Sequence, residues 1–212
     1  MRTDELVELI ALDSVSEGRL APRVLATGLG LLALSGAVVI GILGIRVDLM
    51  QAMVDPVTVM KWLIPLALMA VAGFGAIRLT HPERSMPVTA RVVIGGIVLA
   101  MIGWWAIRAF AVPPAQVMPR AVGDTALACL VSITVISTPA LAGALSLLRR
   151  GASTSPVASG ALAGLAVSGA ATAIYALHCD EDAPLFFILW YGLGMGLVTA
   201  AGAVVGRRLL RW

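Results

Sequence analysis

Six stretches of about 20 residues, almost free of charge, leave this chain few ways to fold. A helix rises about 1.5 Å per residue, so about 20 apolar residues cross the roughly 30 Å hydrocarbon layer of a bilayer. The stretches fall at 24–45, 57–77, 92–112, 122–148, 156–177 and 184–206. The fourth is interrupted by Pro139, and Lys61 lies near one end of the second, where its stem can snorkel to the interface. Only short connections join them. The expected fold class is an all-α membrane protein, a bundle of six transmembrane helices with a short cytoplasmic N-terminal amphipathic helix. Composition agrees: 59% of the 212 residues are hydrophobic and 13% charged, against about 25% charged in soluble domains. The net charge of +3 comes almost entirely from arginine at the ends of apolar runs. It therefore reads as a topology signal, and direct nucleic-acid binding is not expected. No cleavable signal peptide is expected, because the first twenty residues are polar and acidic.

The distribution of cations orients the bundle. Six spans put both termini on one face, with Arg2, Arg19, Arg23, Arg78, Arg84, Arg91, Arg149, Arg150, Arg207, Arg208 and Arg211. The opposite face holds Arg46, Lys61, Arg108 and Arg120. Lysine and arginine concentrate on the cytoplasmic side of membrane proteins. Both termini are thus expected in the cytoplasm.

Residues 1–13 read as a helix with Thr3 as N-cap and Asp4 and Glu5 in the first turn, where the helix dipole favours acids. Leu6, Leu9, Ile10 and Asp13 share one side. Helices that lie on the anionic inner leaflet are usually basic. An acidic helix with a leucine stripe suits a basic protein groove better. Residues 14–22 read as linker, with Gly18 and Pro22 as breakers.

Polar chemistry concentrates at His178-Cys179-Asp180-Glu181-Asp182, a tight turn between the last two spans. It is expected to face outward, into the periplasm of a Gram-negative host. Ionisable clusters at a membrane face mark sensing or chemistry. Cys129, about 10 Å deep in the fourth span by helical rise, falls in the same outer half, with Asp124 one turn outward. Two thiols there would form a disulfide if their Cα atoms came within about 7 Å. With His178 and the carboxylates they would also suit a thiophilic metal ion such as zinc or copper(I), although the spacing matches no closed zinc motif. Plainer readings stand beside these. Cys129 reads equally as a small packing residue, and the acidic turn as a solvated cap. Gly192, Gly196, Gly202 and Gly206 read as close-packing positions that would also allow a homodimer. Trp104, Trp105, Trp190 and Tyr191 read as interfacial anchors, and Pro65 and Pro139 as static kinks.

The chain resembles the polytopic anti-sigma factors of the NrsF type, bacterial inner-membrane proteins that restrain an extracytoplasmic-function sigma factor. The resemblance rests on Thr3-Asp4-Glu5-Leu6 with Leu9 and Asp13, on the six-span layout, and on 178–182 followed by Phe186, Trp190 and Tyr191 and paired with Cys129. It implies that a cytoplasmic segment, 1–21, binds the sigma factor and that 22–212 is a transmembrane sensor domain. It also implies that Cys129 and Cys179 sense heavy-metal or redox stress. Roles for His178, Asp180, Glu181, Asp182 and Asp124 come from the residues alone. Two other classes compete. A thiol oxidoreductase usually shuttles between two cysteine pairs, and this chain has 2 cysteines. A metal or solute transporter usually carries polar groups at mid-membrane, where these spans have almost none.

Overall fold

A computed structural model describes residues 20–151 and 153–211. The expected helix with Thr3, Asp4, Glu5, Leu6, Leu9, Ile10 and Asp13 lies outside the described residues. Among those described there is helix and no strand. The elements are α1 (Leu20–Leu43), α2 (Leu49–Val54), α3 (Met60–Arg78), α4 (Val88–Phe110), α5 (Pro114–Val122), α6 (Ala126–Leu148), α7 (Pro156–Tyr175) and α8 (Pro184–Leu209). Six of these are spans by length and apolarity, with α5 leading into α6.

Two short helices, α2 and α5, were not expected; they fold from the connections after the first and third spans. Pro113 precedes α5 and Pro114 opens it, a position where the missing N–H costs nothing. Two turns rely on glycine. Gly44 ends α1 with φ 84° and Gly123 separates α5 from α6 with φ 56°, a left-handed region that other residues enter only at a cost. Pro22 does not break the chain as expected. It sits in the first turn of α1, where proline is tolerated, so α1 runs across positions 21 and 22. Pro139 does not interrupt α6 either, since the helix continues through it. Nearby hydroxyls bond back within the helix, Ser137 to Ile133 O and Thr138 to Thr134 O, each at 2.7 Å.

Helix α7 is the hub, packed against α8, α3, α6 and α1. A helix surrounded on every side needs small residues, and its buried positions include Gly160, Gly164, Ser168, Gly169 and Ala171. A Cβ on Gly160 would collide with the Gly202 carbonyl, and one on Gly206 would lie 2.8 Å from Gly160 Cα. Gly202 and Gly206 therefore pack as expected. Gly192 and Gly196 do not, since both face open space. Helix α4 is peripheral and almost entirely exposed along its length, which in a bilayer means facing lipid.

The aromatic residues divide. Trp105 Nε1 donates to Leu185 O at 3.0 Å and Trp190 Nε1 to Ala121 O at 2.8 Å, so both pin α8 to neighbouring elements. Trp104 packs edge-on against Phe187, with centroids 5.7 Å apart. Tyr191 is no interfacial anchor. It is buried against Tyr175 and Phe187.

Candidate functional site: the polar turn between the last two spans

The turn 176–183 is tied to the loop that ends the first span. The Arg46 backbone N–H donates to Leu177 O at 3.0 Å. On the same strip of backbone, His178 Nδ1 lies 3.0 Å from Gly44 O; the carbonyl can only accept, so this contact selects the tautomer with Nδ1 protonated. The strongest tie is ionic. Arg46 Nε and Nη2 reach the two Asp48 oxygens at 2.7 and 2.8 Å. Its Nη1 and Nη2 reach the two Asp182 oxygens at 2.8 and 2.7 Å, and Nη1 also reaches Cys179 O at 3.0 Å. All the N–H donors of the guanidinium are thereby used.

Lys61 completes the cluster. Sequence placed it at an interface with a snorkelling stem; instead its side chain is 0% exposed and turns inward. Its Nζ donates to Cys179 O at 2.7 Å, Asp182 Oδ1 at 2.9 Å and Glu181 O at 3.2 Å. It also lies 5.9 Å from the centre of the Tyr191 ring. An ammonium has three protons, and three acceptors meet them. A buried cation is tolerable only when paired and hydrogen-bonded. Here two cations, Arg46 and Lys61, face two carboxylates, Asp48 and Asp182, and the cluster is neutral.

The charge states follow. Burial alone would push the Asp182 carboxyl up, but hydrogen bonds from Arg46 and then Lys61 outweigh it and hold it below the ordinary carboxylate range. The Arg46 hydrogen bond holds Asp48 down at about 2. Asp182 and then Asp48 drive the guanidinium still higher than usual. Arg46, Asp48 and Asp182 are therefore charged throughout the physiological range.

The other acids of the turn do separate work. Glu181 Oε1 accepts from the Asp124 backbone N–H at 3.0 Å, fixing the start of α6 to the turn. A Cβ at Gly123 would lie 2.8 Å from that same oxygen and 2.6 Å from the Phe186 ring. Asp124 contributes its backbone here, and its side chain is exposed, as is that of Asp180. Beneath this polar lid lie the two thiols, Cys129 at 0% and Cys179 at 2% exposure, both free. The buried Tyr191 hydroxyl has no hydrogen-bond partner.

The expected site residues thus sort into two layers. Asp182, His178 and Glu181 are structural ties, and Asp124 and Asp180 face solvent. Among the described residues, no three of the His, Cys, Asp and Glu side chains gather as a metal set. Cys129, Cys179, His178, Asp180, Glu181, Asp182 and Asp124 therefore do not converge on one ion. Sequence reasoning missed Arg46, Asp48 and Lys61 as members of the site. A signal was present: two cations on the arginine-poor face, opposite an acidic turn.

The family described as NrsF, negative regulator of sigma F, matches residues 11–212. The chain is 32% identical over 218 residues to the "Probable anti-sigma-F factor NrsF" of Azospira oryzae, covering 100% of both proteins. It is 35% identical over 222 residues to the "Anti-sigma-F factor NrsF" of Caulobacter vibrioides, again covering 100% of both. No solved structure matches this chain. With six apolar helices, a charge-locked turn between the last two spans and this relatedness along the whole chain, the protein belongs to the NrsF family of negative regulators of sigma F, regulatory proteins and not enzymes.

Proposed function

We propose that the chain is an inner-membrane anti-sigma factor that holds an extracytoplasmic-function sigma factor at its cytoplasmic N-terminus. It releases that partner when Cys129 and Cys179 meet a thiophilic metal or an oxidant on the periplasmic side. Family membership supports a sigma partner, and the arginine asymmetry supports both termini being cytoplasmic. The acidic, leucine-striped segment 1–13 is the part suited to a basic protein groove.

The observation that carries the switch is the tie between the 177–182 turn and residues 44–48. Those residues directly follow α1, the helix that leads to the N-terminal segment. Cys179 lies inside the tie, its carbonyl bound by both Arg46 and Lys61. A change at its sulfur is therefore felt one bond network away from α1. Two routes balance chemically. A soft divalent ion binds two thiolates and displaces two protons. Alternatively, a two-electron oxidant takes two electrons and two protons as one S–S bond forms. Inverting a population from 1:99 to 99:1 needs about 5.5 kcal/mol of differential binding, which metal–thiolate ligation can supply and a single exposed hydrogen bond cannot.

The test is a sigma-dependent reporter in the host, with intact protein and with the Cys129→Ser, Cys179→Ser double variant. Loss of induction by cadmium and by a thiol oxidant, with repression retained, supports the thiol switch. Unchanged induction rejects it. Mass spectrometry of whatever remains attached to the purified protein tests the partner separately, and recovery of a sigma factor is the expected result.

A further inference from the structure

The arginine-rich half of the bundle is not closed. Helices α1 and α3 make almost no direct contact and are joined through α6 and α7. Between them lies a cavity of about 360 Å³, within the roughly 300–1,000 Å³ of small-molecule sites, and it opens sideways past the exposed Leu25, Leu29 and Phe74. Every side chain lining it is apolar. Gly28 is buried within it, yet a Cβ added there would meet nothing within 4 Å. Opening beside the spans, such a space faces hydrocarbon and not water. Three residues at its arginine-rich end, Val24, Ile77 and Leu148, line it from three different helices. Each is followed or preceded in sequence by an arginine: Arg23, Arg78 and Arg149. Arg78 donates to Ser85 O at 3.0 Å, while Arg23 and Arg149 are exposed.

We infer that this groove binds one anionic phospholipid. An acyl chain lies between α1 and α3, and the headgroup phosphate meets Arg23 and Arg149. An apolar slot with cations at one mouth matches the two ends of such a molecule, and basic pockets between membrane helices recognise anionic headgroups. A zwitterionic lipid brings the same phosphate but adds a quaternary ammonium that the arginines repel, so it would satisfy the slot and fit the rim less well. The lipid would wedge the one span that leads to the N-terminal segment, so its occupancy would set where α1 stands. This reading does not depend on the sigma partner or on the thiol switch.

The experiment uses full-length protein stripped of lipid by detergent exchange. It is titrated with dioleoyl phosphatidylglycerol or dioleoyl phosphatidylcholine, with bound lipid read by native mass spectrometry. One molecule of phosphatidylglycerol per chain is expected, held about 25-fold more tightly than phosphatidylcholine, given about fivefold for each of the two arginines near an anionic group. The Arg23→Gln, Arg149→Gln variant should bring the two lipids to about equal affinity by the same reckoning. Gly28→Leu, filling the slot, should weaken both lipids while circular dichroism is unchanged. Gly73→Leu replaces it if that variant does not fold, since a Cβ there makes only an ordinary contact, 3.7 Å from Ala166. Equal affinity for the two lipids in the unmodified protein would overturn the inference. So would phosphatidylglycerol binding indifferent to the filling variant, or binding seen only after residues 1–19 are removed by protease, which would make that segment the occupant.

Discussion

Asp182 neutralises two buried cations at once, and its loss leaves both with less than they need. Breaking a buried ion pair from one side costs about 3–5 kcal/mol. The Asp182 side chain keeps 32% of its exposure, so water offsets part of that, and Asp182→Asn is expected to cost about 2–3 kcal/mol. Lys61→Met removes one charge and leaves Asp182 paired with Arg46, so it should cost less, about 1 kcal/mol or below. Thermal unfolding in detergent should rank the two in that order; the reverse ranking would mean that Lys61, not Asp182, anchors the cluster. The same residue fixes a pH signature. Its folded carboxyl sits below the ordinary value of 3.8. Its contribution is therefore present above that pH and lost as pH falls through the lower folded value. Unfolding midpoints should show no pH dependence from this group between about pH 5 and 8 and a decline below about 4, a decline that Asp182→Asn should flatten.

At the scale of elements, packing depends on where glycine touches backbone. Gly202→Ala drives a methyl into the Gly160 carbonyl, and since neither is the end of a flexible side chain, α7 and α8 must separate. Overpacking of this kind costs about 1–3 kcal/mol. Gly196→Ala, six residues away on the same helix, meets open space and should be neutral or gain up to about 1 kcal/mol from helix propensity. A thermal-shift comparison decides it, and equal effects would remove the α7–α8 contact as the reason for the glycines. The six spans were legible in the sequence because length and apolarity alone specify them. Spacing could not tell Gly192 and Gly196 from Gly202 and Gly206, because all four obey the same interval and only the hub position of α7 separates them. Pro139 misled for a related reason: an internal proline removes one helix hydrogen bond, and the surrounding bundle holds the helix through that loss.

For the whole molecule, what matters is that one face carries the lock and the other carries the chain ends. The turn 178–182 was readable as a polar turn between two spans. Its partners were not, because Arg46 and Lys61 lie more than a hundred residues earlier, and counting cations by loop treats them as solvent-exposed. Their burial makes the arginine asymmetry sharper, since two of the four cations on the poorer face are spent on internal carboxylates. The sidedness therefore invites a direct measurement. With Cys129→Ser and Cys179→Ser as background, Gln116→Cys on α5 and Arg149→Cys after α6 both place an exposed thiol, at opposite ends of the α6 span. In intact cells stripped of their outer membrane, a membrane-impermeant maleimide should label position 116 and spare 149 until the membrane is opened. The opposite pattern would put the thiol pair on the cytoplasmic side with the N-terminal segment reversed. The lock would then have no message to carry across the bilayer, since signal and sigma factor could no longer lie on opposite faces.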